Sequence, residues 1–97
     1  MEDILGIALS AIKTGRLRYS AHANQRMHLR KIIKPEVEFI LKYGHHESRK
    51  DQFNAEHESW DYSISGKTLD GRKLRVVVAY EEPHVLVITT IDLDKED

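Results

Sequence analysis

The runs LRVVVAY, residues 74–80, and VLVITTIDL, residues 85–93, constrain this chain most. Each is apolar at consecutive positions, so each predicts a strand with both faces shielded from water. Only Glu81 to His84 separate them, and Pro83 among these predicts a turn. Two such strands form the centre of a sheet, and the rest of the chain must cover or extend it. Just upstream, Trp60, Tyr62 and Ile64 alternate with Asp61, Ser63 and Ser65, which predicts a half-exposed strand. Asp70-Gly71 predicts a tight turn between that strand and the first apolar run. A two-residue turn there would set Arg75 opposite Gly66, from where it could reach a cleft on the sheet. In the other reading Arg75 is solvated together with Arg72 and Lys73. Residues 45–53 are polar and predict an edge strand.

The first 44 residues follow a different period. Ile4, Leu5, Ala8, Ala11 and Ile12 sit at helical spacing within residues 2–14, and Gly15 follows as a C-cap. Arg16 to Tyr19 predict a short extended link. Ser20 is a good N-cap for a helix over residues 21–30. Pro35 suits the start of a further helix, Val37, Ile40 and Leu41 its buried stripe, and Gly44 its stop. The expected fold is α+β in a single domain over residues 1–97. Two or three N-terminal helices pack on one face of a three- to four-stranded antiparallel sheet. The tail DKED is expected to be solvated or frayed.

Composition narrows the function. With no cysteine, neither a disulfide nor a thiolate-held zinc is available. No apolar run reaches the roughly 20 residues needed to span a bilayer. The N-terminus lacks the basic stretch of a signal peptide, so a cytoplasmic location is expected. Net charge is −1, yet residues 4–35 hold seven basic residues and no acidic one. This asymmetry predicts a basic patch suited to a phosphate-bearing ligand, or a positive face that docks on the acidic remainder.

Within that basic segment lies YSAHANQRMHLRK, residues 19–31. At helical pitch Asn24, Gln25, His28 and Lys31 fall on one arc, a solvent face. His22, Ala23, Arg26, Met27, Leu29 and Arg30 fall on the opposite arc. An imidazole and two guanidiniums there either snorkel and pair with sheet carboxylates, or face a polar cleft. In a cleft they suit a phosphodiester, because imidazole moves protons near neutral pH and guanidinium matches phosphate oxygens. Other constellations are weaker. His45, His46 and His57 match no tight metal-ligand spacing, so no metal is expected. Thr89 and Thr90 are either β-branched filler or phosphate-binding hydroxyls, and Tyr62 and Tyr80 either pack or stack on bases. Trp60 is expected in the core or at its rim. No phosphate-binding glycine loop or nucleophile elbow occurs.

The run Ser20-Ala-His22-Ala-x-x-Arg26-Met27-x-x-Arg30-x-Ile32 resembles the signature of the domain of unknown function 4258 family, small bacterial and archaeal domains. Pro35 to Gly44, Tyr62 to Ile64, the Asp70-Gly71-Arg72 turn, Leu74 to Val78 and Val87-Ile88-Thr89 are similar in order. The resemblance implies the fold of RelE, MqsR, barnase and the tRNA-cleaving colicins. It also implies a toxin-like, metal-independent endoribonuclease that needs no cofactor, with RNA and a cognate antitoxin as partners. On this chain it implies His22 and Arg26 as catalytic residues, and Arg30 and Thr89 as substrate-binding residues. Arg75 joins the substrate-binding set through its place beside the hairpin. The alternative is a non-catalytic RNA-binding or protein-interaction module on the same fold.

Overall fold

A computed structural model of the chain describes residues 3–95. The order is α1 (Ile4–Thr14), β1 (Leu17–Tyr19), α2 (Ala21–Arg30), α3 (Lys34–Tyr43), β2 (His45–His46), a 3-10 turn (Ser48–Lys50), β3 (Gln52–Asn54), β4 (Ser59–Lys67), β5 (Lys73–Glu81) and β6 (His84–Asp92). The helices are N-terminal and the fold is α+β, as the change of period predicts. The sheet is larger than expected and is not purely antiparallel. Its six strands run β1-β6-β5-β4-β2, with β3 also on β4. The supposed link Arg16–Tyr19 supplies β1, which lies parallel to β6 with Leu17 beside Val85 and Tyr19 beside Val87. Three residues are too few to show an alternation in sequence. Residues 45–53 form two short strands rather than one, because the 3-10 turn lifts the chain off the edge of β4.

Local chemistry sets the element ends. Asp3 caps α1 by accepting from Gly6 N at 2.8 Å, so the helix begins at Ile4. Its expected start at residue 2 lies outside the described residues. Gly15 ends α1 in the left-handed region at φ 71°. Ser20 does two jobs: its Oγ accepts from Ala23 N at 3.0 Å and donates to Ile88 O at 2.9 Å. It therefore caps α2 and ties that cap to β6. Glu36 starts α3 by accepting from Ile33 N at 3.0 Å. Gly44 ends α3 for a reason of space, since its backbone is extended. An added Cβ there would stand 2.5 Å from the carbonyl oxygens of both Ile40 and Ser65.

The core lies between the helices and one sheet face. Leu74, Val76 and Val78 of β5 and Val85 and Val87 of β6 are fully buried with Ala8, Val37, Ile40 and Leu41. Ala23 and Met27 are the residues of α2 that reach this core. Leu29, expected on the inner arc, is exposed, and so is Trp60, which meets Phe53 edge-on at 5.6 Å. Tyr80 is also exposed rather than packed inside.

Two register details decide what the other sheet face carries. Arg75 pairs with Ser65, and Gly66 pairs with Leu74, so the expected Arg75–Gly66 pairing is off by one residue. The turn is longer than Asp70-Gly71 because Thr68 and Arg72 also close on each other, Thr68 N donating to Arg72 O at 2.9 Å. In β6 a bulge absorbs one residue: Val77 pairs with Thr89 while Val78 pairs with Val87. Before the bulge Val85 and Val87 face the core. After it Thr90 and Asp92 do, so Thr89 and Ile91 turn to the opposite face. The first residues of the tail are held rather than frayed. Asp94 N donates to Asp92 Oδ1, and Asp94 accepts from Lys73 N. Residues 96 and 97 lie outside the described residues.

Candidate functional site

His22 and Arg26 stand one turn apart on α2 and, with Thr89, Thr90 and Ile91, line a cavity of about 190 Å³. The Ser20 bonds place them there by anchoring the first turn of α2 beside the bulge. His22 is exposed, and Arg26 and Thr89 are half-buried. Thr90 Oγ1 is buried and finds no hydrogen-bond partner among the described residues. That hydroxyl lies on the core side of β6, behind the strand that forms the cavity wall.

Thr89 and Ile91 also line a second, larger cleft of about 420 Å³ on the open sheet face, with Lys50, Gln52, Asp61, Ser63, Arg75 and Val77. The two cavities have Thr89 and Ile91 in common. His22, Arg26 and Thr89 therefore share one cavity, and Arg75 lines the neighbouring cleft. Arg30, one turn beyond Arg26, lines neither cavity; its backbone carbonyl accepts from Arg72 Nη2 at 2.8 Å.

One anion already holds Arg75, a residue of the cleft wall. Glu47 Oε1 accepts from Arg75 Nε at 3.2 Å, from Arg75 Nη2 at 3.1 Å and from the Ser65 hydroxyl. Three donors on one oxygen are the surroundings a phosphate oxygen seeks. The Ser65 hydrogen bond, aided by Arg75 against the cost of burial, holds the Glu47 carboxyl below its ordinary value. Asp61 has the opposite shift: burial raises it, only partly offset by the Asn54 side chain and the charge of His57.

Sequence reading missed Glu47, Lys50, Gln52, Asp61 and Ser63. It took Asp61, Ser63 and Ser65 for a solvated strand face, yet both serines are only 4% exposed. The turn after β2 wraps the edge of β4. Asp51 Oδ1 accepts from Ser63 N at 2.9 Å, Asp51 Oδ2 lies 2.7 Å from His46 Nε2, and Glu47 N donates to Ser63 O at 2.9 Å. The available signal was the choice of serine, where a solvated strand would carry lysine or glutamate.

Arg72, read as solvated, is a clamp on the helix side. It meets Asp92 Oδ2 at 3.1 Å, Glu36 Oε1 at 3.4 Å and the carbonyls of Arg30 and Lys31 at 2.8 and 3.0 Å. Burial would raise Asp92, but the Arg72 hydrogen bond and backbone N–H groups outweigh it and leave the carboxyl below its ordinary value. Among the described residues no three His, Cys, Asp or Glu side chains group as a metal ion requires. No helix among them is long and apolar enough to cross a membrane.

Fold and site together define a small α+β domain whose open sheet face meets an imidazole- and guanidinium-bearing helix. The family described as domain of unknown function (DUF4258) matches residues 19–92, and the chain belongs to it. The matched span begins at Tyr19, the last residue of β1, and ends at Asp92, so it contains α2, the bulge, the cleft and the Arg72–Asp92 clamp. No curated protein and no solved structure matches the chain.

Proposed function

We propose that the cleft binds RNA and cleaves it, as a cytoplasmic, toxin-like, metal-independent endoribonuclease related to RelE and MqsR and held in check by a cognate antitoxin. The observation that carries this reading is the convergence of His22, Arg26 and Thr89 on one cavity that shares Thr89 and Ile91 with the Arg75 cleft. The ribose 2′-oxygen attacks the adjacent phosphorus and the bond to the 5′-oxygen breaks. The products are a 2′,3′-cyclic phosphate and a 5′-hydroxyl, the departing 5′-oxygen taking its proton from water and the imidazolium returning its own to solvent. His22 takes the 2′-hydroxyl proton, which is the task of an imidazole near neutral pH. Arg26 offsets the charge that grows on the phosphoryl oxygens, and the Thr89 hydroxyl donates to one of them. Arg75 and Lys50 hold the flanking phosphates. Arg30 is retained as an outer contact to the backbone beyond the cavity.

A second reading, an RNA- or protein-binding module without catalysis, is favoured by the hold of Glu47 on Arg75. The test is incubation of the purified chain with single-stranded RNA, followed by end-group analysis and a binding titration. Cleavage to cyclic-phosphate ends is expected, and His22→Ala should slow it by about 100-fold or more while binding persists. Binding without cleavage selects the second reading. RNA neither bound nor cut removes the RNA function altogether.

A further inference from the structure

A further cavity lies on the helix side of the sheet, with Arg72 rather than Arg75 in its wall. It measures about 550 Å³ and is a groove between two walls. One wall is the connection from α2 into α3, with Lys31, Ile33, Pro35 and Phe39; the other is the β4–β5 hairpin tip, with Leu69 and Asp70. Its apolar groups are unusually bare. Leu69 is 90% exposed and Ile33 59%. Exposed leucine and isoleucine beside a groove mark a contact surface more often than chance.

The charges on the two walls say what fits. Lys31 is exposed on the helix wall and Asp70 is exposed on the hairpin wall. At the floor Arg72 is shared between Glu36 and Asp92. The groove is therefore positive along one lip and negative along the other, with an apolar projection on the negative lip. A surface of that kind complements itself under a two-fold axis. Each lip of one copy then faces the opposite lip of the other, as a symmetric dimer interface requires.

We infer that this groove is the interface of a homodimer, in which Leu69 of each copy enters the Ile33–Phe39 wall of the other and Lys31 pairs with the partner's Asp70. The interface is remote from His22 and stands whether or not the cleft acts on RNA.

Sedimentation equilibrium of the purified chain over a range of concentrations tests this. A species of twice the 11.3 kDa chain mass is expected. Leu69→Asp should leave a monomer with unchanged circular dichroism, since that side chain supports nothing in its own fold. Lys31→Asp should weaken association by about tenfold, because it sets two carboxylates face to face. Aspartate is chosen because it tolerates the left-handed backbone at Lys31, φ 55°. Asp70→Lys should weaken it similarly, and the two changes in one chain should restore the wild-type dissociation constant to within about threefold. A wild-type monomer at high micromolar concentration overturns the inference. So does a Leu69→Asp dimer, or a double variant no tighter than the single ones.

Discussion

Arg72 and Arg75 are three residues apart and serve opposite faces of the same sheet. Arg72 reaches the helix side, where it gathers the end of α2, the start of α3 and the end of β6 through Asp92, Glu36 and two carbonyls. Arg75 lies on the open side, where Glu47 and the cleft are its surroundings. Their chemistry is the same and their exposure similar. What differs is the number of elements each ties together. Arg72 joins three elements, so it belongs to the fold. Arg75 joins a strand to one turn and keeps a face toward open space, so it is available to a ligand.

The sharpest break in this comparison is Arg72→Ala. It strands the Asp92 carboxylate, whose side chain is 3% exposed, and should cost about 3 kcal/mol or more in denaturant unfolding. A loss below about 1 kcal/mol would put Arg72 on a level with Arg75. Next comes acid. A carboxyl held below its unfolded value contributes stability that is complete above about pH 4 and is lost as pH falls through its folded value. Asp92 is such a group. Unfolding free energy should therefore fall as pH drops below 4, and Asp92→Asn should flatten that fall. An Asp92→Asn profile parallel to wild type would assign the acid sensitivity elsewhere.

On the open face the effects are smaller and appear in binding. Arg75→Ala should cost about 1 kcal/mol of stability or less, because Ser65 still donates to Glu47. It should weaken RNA binding by about tenfold. Smallest of all, Glu47→Gln removes the charge that holds Arg75 and should tighten RNA binding by about threefold. Tighter binding in both variants, or weaker binding in both, would break the distinction between a resident anion and its host.

The comparison also shows what was legible in the sequence. Periodicity exposed the helices, the caps at Ser20 and Gly15 and the two central strands, because each rests on a local rule. The helix motif singled out His22 and Arg26, and they share a cavity. Arg72 was misread since its partners Glu36 and Asp92 lie far along the chain. β1 escaped notice because a three-residue parallel strand is defined by its partner rather than by its own pattern. The cleft residues Lys50, Gln52 and Asp61 come together only through the turn that wraps β4, and no spacing encodes that.

The bulge in β6 has a consequence for the history of such a chain. Inward positions are odd-numbered before it, at Val85 and Val87, and even-numbered after it, at Thr90 and Asp92. Thr89, which serves the cleft, and Asp92, which serves the clamp, depend on the same change of parity. A one-residue insertion or deletion between them and the bulge would turn both away together, emptying the cleft wall and unfolding the clamp in a single event. Only the loss of Ile88 itself, the absorbed residue, leaves both phases intact. Even that loss removes the Ile88 carbonyl to which Ser20 ties the cap of α2, so the parity of β6 and the seat of α2 rest on the same residue.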